Sequence, residues 1–199
     1  PYGGGELVNL VVRDHERDEV VTSTRSAPSL QLSARSMADI ELLAVGAFSP
    51  LTRFMGRADY DRVLDEMRLA DGTLFPIPVT LPAADVRGIE LDKVVLLRSP
   101  QNELIARMVV EEIYERDPER EARQVCGTLD ARHPLVAEMA SWGRYYLSGP
   151  LQVVNLPKHY DFAELRRTPA EVREALQRLG YANVVAFQTR NPMHRAHEE

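Results

Sequence analysis

Cysteine is almost missing from this sequence: Cys126 is the single one among 199 residues. No internal disulfide and no thiolate metal cluster can be built from it, which removes stapled scaffolds and zinc fingers and makes a reducing cytoplasm the expected setting. Long apolar runs are missing too, since nothing approaches the roughly 20 residues that cross a bilayer as a helix. The opening Pro1-Tyr2-Gly3-Gly4-Gly5-Glu6 lacks the charged-then-apolar profile of a secretory leader, so no membrane role is expected. Lysine and arginine never gather in a run, and 24 of them stand against 30 Asp and Glu for a formal net charge of −6. That balance lacks the basic footprint a nucleic-acid backbone demands, so no nucleic-acid partner is expected. Tryptophan is as rare as cysteine. The single tryptophan, Trp142, lies near Tyr145 and Tyr146 without a basic run, which suits packing at the end of a domain better than base stacking.

What is present suits a folded globular chain. With 44% hydrophobic and 27% charged residues, a chain of this length can bury roughly 70% of the surface its unfolded form exposes. From Ser36 the run Ser36-Met37-Ala38-Asp39-Ile40-Glu41-Leu42-Leu43 offers a capping residue, an acid three positions on and apolar residues at helical spacing. A second helix places Tyr60, Val63, Leu64 and Met67 on one face, between Gly56 and the turn Ala70-Asp71-Gly72. Residues 75–81, 93–97 and 104–110 are short aliphatic runs separated by turn residues and are expected as strands. The last two form a hairpin around Ser99-Pro100-Gln101-Asn102, whereas Pro76 and Pro78 push the first to a sheet edge or bulge. A short helix is expected over residues 133–139 and a closing strand over 151–156.

The grammar then changes after the polar stretch Pro157-Lys158-His159-Tyr160-Asp161, which sets an expected boundary between a domain over 1–158 and a second over 159–199. Thr168-Pro169-Ala170-Glu171 combines a capping box with proline at the first helical position, Val172, Ala175, Leu176 and Leu179 follow, and Gly180 ends the helix. Val184-Val185-Ala186-Phe187 is a continuous apolar run of the kind buried on both faces in a parallel sheet. Helix, strand, turn and helix together point to an α/β fold here, and to α+β for the chain as a whole.

Chemistry concentrates in residues 188–197, Gln-Thr-Arg-Asn-Pro-Met-His-Arg-Ala-His. Asn191 is a good N-cap and Pro192 a good first helical residue, so a helix is expected to start there with His194 and His197 on one face. Unpaired N–H groups and the helix dipole make such a strand-to-helix turn a natural anion site. The stretch carries two arginines, two histidines, an asparagine and a glutamine with no acid, a local reversal of charge that suits anionic ligands. Two histidines three apart are by themselves as compatible with packing as with a ligand. Zinc fits poorly, because metalloprotease pairs are spaced four apart around a glutamate and no third ligand stands out. No protein-bound metal is therefore expected. Arg195 is expected on a solvated face and Met193 in packing. Cys126 and the scattered His15 and His133 lack partners that would make them catalytic, and His159 suits an interdomain contact. Gly3, Gly4 and Gly5 lack the following lysine of a phosphate loop.

Residues 188–197 resemble the QxRNPxHxxH signature of ATP sulfurylases, a long and therefore specific pattern. The resemblance extends through Pro1-Tyr2-Gly3-Gly4, Asp39-Ile40-Glu41-Leu42, residues 46–52, 68–73 and 156–161, and Arg167-Thr168-Pro169. It implies a β-rich PUA-like N-terminal domain followed by the first part of a Rossmann-like nucleotidyltransferase domain. It also implies sulfate adenylyltransferase chemistry, in which sulfate attacks the α-phosphorus of ATP to give adenosine 5′-phosphosulfate and pyrophosphate, with Mg2+ accompanying ATP. Carried over residue by residue, Gln188 and Arg190 hold sulfate, and Thr189, Arg190 and Asn191 form the catalytic turn. Gln188, Asn191, His194 and His197 contact the ATP phosphates, and His194 and His197 belong with the catalytic set. A homo-oligomer is expected of the full-length protein, and an APS kinase domain follows in some relatives.

Two departures bear on this. Arg53 stands where the family has glycine in residues 51–56, which puts a left-handed backbone there in question. The sequence also stops at Glu199, inside the helix expected to carry His197, so the remaining strands and the downstream GRD-type loop are expected to be missing and this stretch alone to have little or no activity. Two other readings compete: another adenylyltransferase of the HxGH type, against which Ala196 replaces the glycine, and a PUA-like module binding RNA or protein, against which the acidic balance counts.

Overall fold

The computed structural model describes residues 5–23, 26–189 and 193–195. In chain order it contains α1 (Asp14–Ser23), β1 (Ser29–Gln31), α2 (Ala34–Ala44), α3 (Arg57–Glu66), β2 (Leu81–Ala83), β3 (Val94–Arg98), β4 (Leu104–Val109) and β5 (Glu112–Glu115). Next come α4 (Pro118–Cys126), α5 (Pro134–Met139), β6 (Tyr145–Ser148), β7 (Leu151–Val153), a 3-10 turn (Ala163–Leu165) and α6 (Pro169–Leu179). The strands form one sheet in the order β1-β3-β4-β7 and another in the order β2-β6-β5. All their pairings are antiparallel except that of β1 with β3. Helices join these sheets to give the mixed α/β class.

Two pairs of strands cross between the sheets at one corner. β4 and β7 pair up to Met108 opposite Leu151, and the same two chain segments continue as β5 and β6 with Glu112 opposite Ser148. At this corner the Glu111 N–H donates to Ser148 O over 2.9 Å and the Val109 N–H to Pro150 O over 3.1 Å. A side chain on Gly149 would place its Cβ 1.8 Å from Val109 O, so close backbone approach demands glycine there. Gly149→Ala is expected to cost about 3 kcal/mol, the upper end for overpacking, read as a lower urea midpoint at unchanged slope.

The hairpin of β3 and β4 stands where expected, with Asn102 at φ 66° in its turn, as does α5, with His133 in the N-cap position and no side-chain cap. Other expectations need correction. α2 starts three residues early, because the Ser33 hydroxyl accepts from the Ser36 N–H at 3.1 Å while Ser36 itself is buried. Met67 leaves the apolar face of α3, taking a left-handed C-cap conformation at φ 54° and 56% exposure. Residues 75–80 form no strand; their prolines break the ladder, and Val79 O instead accepts from the Met55 N–H over 2.8 Å. Pairing begins only at Leu81, on an edge strand that tolerates Pro82. Arg53 has no left-handed backbone and pairs with Glu111, so it is accommodated without strain.

Between the sheets and helices lies a core that includes Ile40, Leu43, Phe54, Met55, Leu97, Ile105, Met108, Leu147 and Val153. At one end the rings of Tyr60, Tyr114 and Tyr146 form a triangle with centroids 5.4–5.8 Å apart. Burial, reinforced by neighbouring Glu121 and by the other rings, pushes all three phenols well above their ordinary range. Their neutral form is the one the fold holds, so this contribution is complete below the unfolded value near pH 10 and is lost as pH rises beyond it. Stability is therefore expected to stay flat to about pH 10 and then fall by about 1.4 kcal/mol per pH unit per phenol. Urea unfolding at stepped alkaline pH, followed with phenolate absorbance, checks the slope.

Candidate functional site

The approach to residues 188–197 begins with α6, whose ends are the ones expected. The Thr168 hydroxyl accepts from the Glu171 N–H at 3.3 Å, and the Thr168 N–H donates to Glu171 Oε2 at 2.7 Å. Those Thr168 groups hold the Glu171 carboxyl below the ordinary carboxylate range. Pro169 occupies the first turn, and Gly180 closes the helix at φ 69°. Thr168→Ala is expected to cost about 1 kcal/mol, the usual loss of a side-chain cap, seen as faster amide exchange confined to α6.

Beyond α6 the expected buried strand is not formed. Residues 184–187 carry no ladder, and Val184, Val185 and Phe187 are 53%, 93% and 64% exposed. A strand needs a hydrogen-bonding neighbour, and neither sheet of the described residues extends to this segment. Gln188 and Thr189 follow in irregular, exposed backbone, and His194 is likewise exposed, as are Met193 and Arg195. Arg190, Asn191 and His197 lie outside the described residues, and so does the expected helix start at Asn191 and Pro192. The candidate residues that are described, Gln188, Thr189 and His194, are thus exposed.

A groove of about 550 Å3 lies instead between α2 and the start of α6. Leu42, Val45, Leu156, Leu165 and Val172 form its apolar walls, with Glu41 and Arg167 also lining it. None of Gln188, Thr189 and His194 lines it. Among the described residues, no group of three His, Cys, Asp or Glu is placed to hold a metal ion, and no helix is long and apolar enough to cross a membrane.

Two polar features escaped the sequence reading. Glu121 is fully buried, and its Oε2 accepts from the hydroxyls of Tyr146 at 2.7 Å and Tyr60 at 3.1 Å. Buried Arg116 approaches the same oxygen at 3.6 Å and donates to Met139 O at 2.8 Å. The Arg116 guanidinium also stacks over Trp142 and Tyr146, while that of Arg35 lies 3.8 Å from the Trp142 ring centroid. The packing role expected of Trp142 and Tyr146 is met in this way. Cys126 ends α4, and burial pushes its thiol upward, away from the reactive thiolate.

Comparison with known proteins gives these parts a context. Residues 1–156 match the family model described as a PUA-like domain, and residues 163–199 match the one described as ATP-sulfurylase. The sulfate adenylyltransferase of Emericella nidulans is 43% identical over 203 residues, spanning 98% of this chain and 35% of its own length. That of Candida albicans is 40% identical over 213 residues, spanning 98% of this chain and 40% of its own. Among solved structures, the hexameric APS kinase from Thiobacillus denitrificans aligns with a TM-score of 0.78 at 33% identity, over 100% of this chain and 35% of that one. The architecture is accordingly a PUA-like domain followed by a nucleotidyltransferase-like beginning. The chain belongs to the PUA-like domain family over residues 1–156 and is similar to ATP sulfurylases over residues 163–199, and it spans 35–40% of the length of the relatives just described.

Proposed function

We propose that the whole protein is a sulfate adenylyltransferase, to which this chain contributes the PUA-like domain over residues 1–158 and the opening of the catalytic domain from 159. The observation that carries this reading is the ATP-sulfurylase match over residues 163–199, within which the run from Gln188 to His197 concentrates cationic and hydrogen-bonding groups. The reaction must bring sulfate and ATP together although like unit charges about 4 Å apart repel by about 4 kcal/mol at an effective dielectric of 20.

Arg190 answers that repulsion with a permanent planar fork for two sulfate oxygens, and Gln188 adds a neutral donor. Thr189 and Asn191 complete the turn, with Asn191 and Gln188 also toward the nucleotide. His194 and His197 donate to the charge that grows on the ATP phosphates as the bond from α-phosphorus to pyrophosphate breaks. Mg2+ enters with ATP as part of the substrate. Sulfate is already ionised, so no general base is needed, and positioning and electrostatics do the catalytic work. A cytoplasmic, homo-oligomeric enzyme, with or without a fused APS kinase domain, completes the reading.

Substrate competition tests it. Pyrophosphate release from ATP by the whole protein is expected to require sulfate or molybdate and to ignore phosphopantetheine. A phosphopantetheine requirement would favour an HxGH-type adenylyltransferase. Against that alternative, Ala196 stands in the glycine position and Gln188-Thr189-Arg190 precedes the turn. Residues 1–199 alone are expected to release little or no pyrophosphate.

A further inference from the structure

His159, in the segment joining the PUA-like part to α6, reaches back 118 positions to α2, where its Nε2–H donates to Glu41 Oε1 over 2.7 Å. The side chains of His159 and Glu41 are 33% and 27% exposed, so the bond lies at the surface with each partner still partly shielded from solvent. α2 is a fixed support. Its Ile40, Leu43 and Ala44 are fully buried, the Leu10 N–H donates to Ala44 O, and the Val45 N–H donates to the carbonyl of Glu41 itself.

On the other side of the bond a series of local ties leads toward α6. Arg166 donates to the Asp161 carboxylate at 2.9 Å and to Asp161 O at 3.2 Å, and it holds that carboxyl below the ordinary range. The 3-10 turn Ala163–Leu165 lies between the two. Two residues after Arg166 the Thr168 capping box opens α6. The groove between α2 and α6 is wide, and Leu165 remains 71% exposed beside it. Apolar contact across it is non-directional and leaves the register of the segment loosely set; a directional hydrogen bond does not.

We propose that Glu41 and His159 are positioning residues. Their bond clamps the joining segment onto α2 and so sets where α6, and the segment carrying Gln188 beyond it, stand relative to the PUA-like domain. The catalytic part of this inference rests on the sulfate and nucleotide role proposed above; the clamp does not. An offset of about 1 Å in a reacting group can cost on the order of a hundredfold in rate, so a remote tie of this kind bears on turnover more than on binding.

Chymotrypsin cleavage after Tyr160 and Phe162, which are 91% and 68% exposed, reads the clamp in the 199-residue chain without reference to activity. Glu41→Ala and His159→Ala are each expected to speed cleavage roughly tenfold, the scale of one lost charge-assisted hydrogen bond. The double variant should be no faster than either single, and His159→Gln, which keeps an N–H donor, should recover part of the protection. In the whole protein the alanine variants are expected to lower kcat at least roughly fivefold, with KM for sulfate and ATP held within about twofold. Unchanged cleavage, or additive effects in the double variant, overturns the clamp. Coupled cleavage with unchanged kcat overturns the positioning role and leaves a structural tie. A wild-type whole protein without sulfate-dependent pyrophosphate release defeats the functional reading and the positioning role with it, while the cleavage series still decides the clamp.

Discussion

Glu121→Ala is expected to lower the unfolding free energy by about 3–5 kcal/mol, the cost of breaking a buried ion pair from one side. The carboxylate is the common acceptor for the Tyr60 and Tyr146 hydroxyls and the counter-charge for Arg116, whose side chain is only 4% exposed. Removing it strands two phenol donors and a guanidinium in a space that water does not reach. Arg116 keeps its bond to Met139 O, which limits the loss but does not neutralise the charge. Glu121→Gln should cost less, because an amide oxygen can still accept from the phenols. Exchanging both partners, as Glu121→Leu with Arg116→Met, should recover much of the stability. Urea unfolding of the three variants gives the ranking, and a loss under about 1 kcal/mol for Glu121→Ala would mean that the network contributes little.

Arg190→Ala in the whole protein is expected to lower kcat/KM for sulfate by about 10²–10³, the range seen when one donor to a developing oxyanion is removed. Arg190→Lys should recover only part, since a lysine offers a point charge and not a two-pronged fork. KM for ATP should move far less, because Asn191, His194 and His197 are assigned to the nucleotide phosphates. Initial rates at varied sulfate with ATP saturating separate these terms. An unchanged sulfate response in Arg190→Ala would remove the assignment of that residue.

Short-range signals were readable wherever a local rule sufficed. Thr168, Pro169, Glu171 and Gly180 define α6 completely, because capping box, first-turn proline and terminal glycine all act within a few residues. The β3-β4 hairpin was equally legible from two aliphatic runs and a four-residue turn. The cap of α2 was read at Ser36 because an acid follows three positions on, whereas Ser33 is the capping residue and Ser36 lies buried inside the helix. β5 and β6 are four residues each, too short for alternation to declare itself, and their pairing depends on a corner at Gly149. α4 looks solvated in sequence, Pro-Glu-Arg-Glu-Ala-Arg, yet the second of its glutamates is the most deeply buried acid of the core.

The candidate site divides in the same way. Its chemistry was legible in composition, as a run of cationic and amide groups without an acid inside an acidic chain. Its geometry was not, since a turn between strand and helix exists only when the strand joins a sheet, and the run at 184–187 belongs to neither sheet of the described residues. The bond from His159 to Glu41 spans 118 positions and no pattern rule connects them, although His159 stood out as a junction residue.

Transfer of labelled sulfate into an adenylyl-linked product by the whole protein tests the central claim most directly. Incorporation is predicted to depend on ATP and to collapse in Arg190→Ala. Label remaining as free sulfate while the wild-type protein consumes ATP, or incorporation that survives loss of the Arg190 guanidinium, would contradict it.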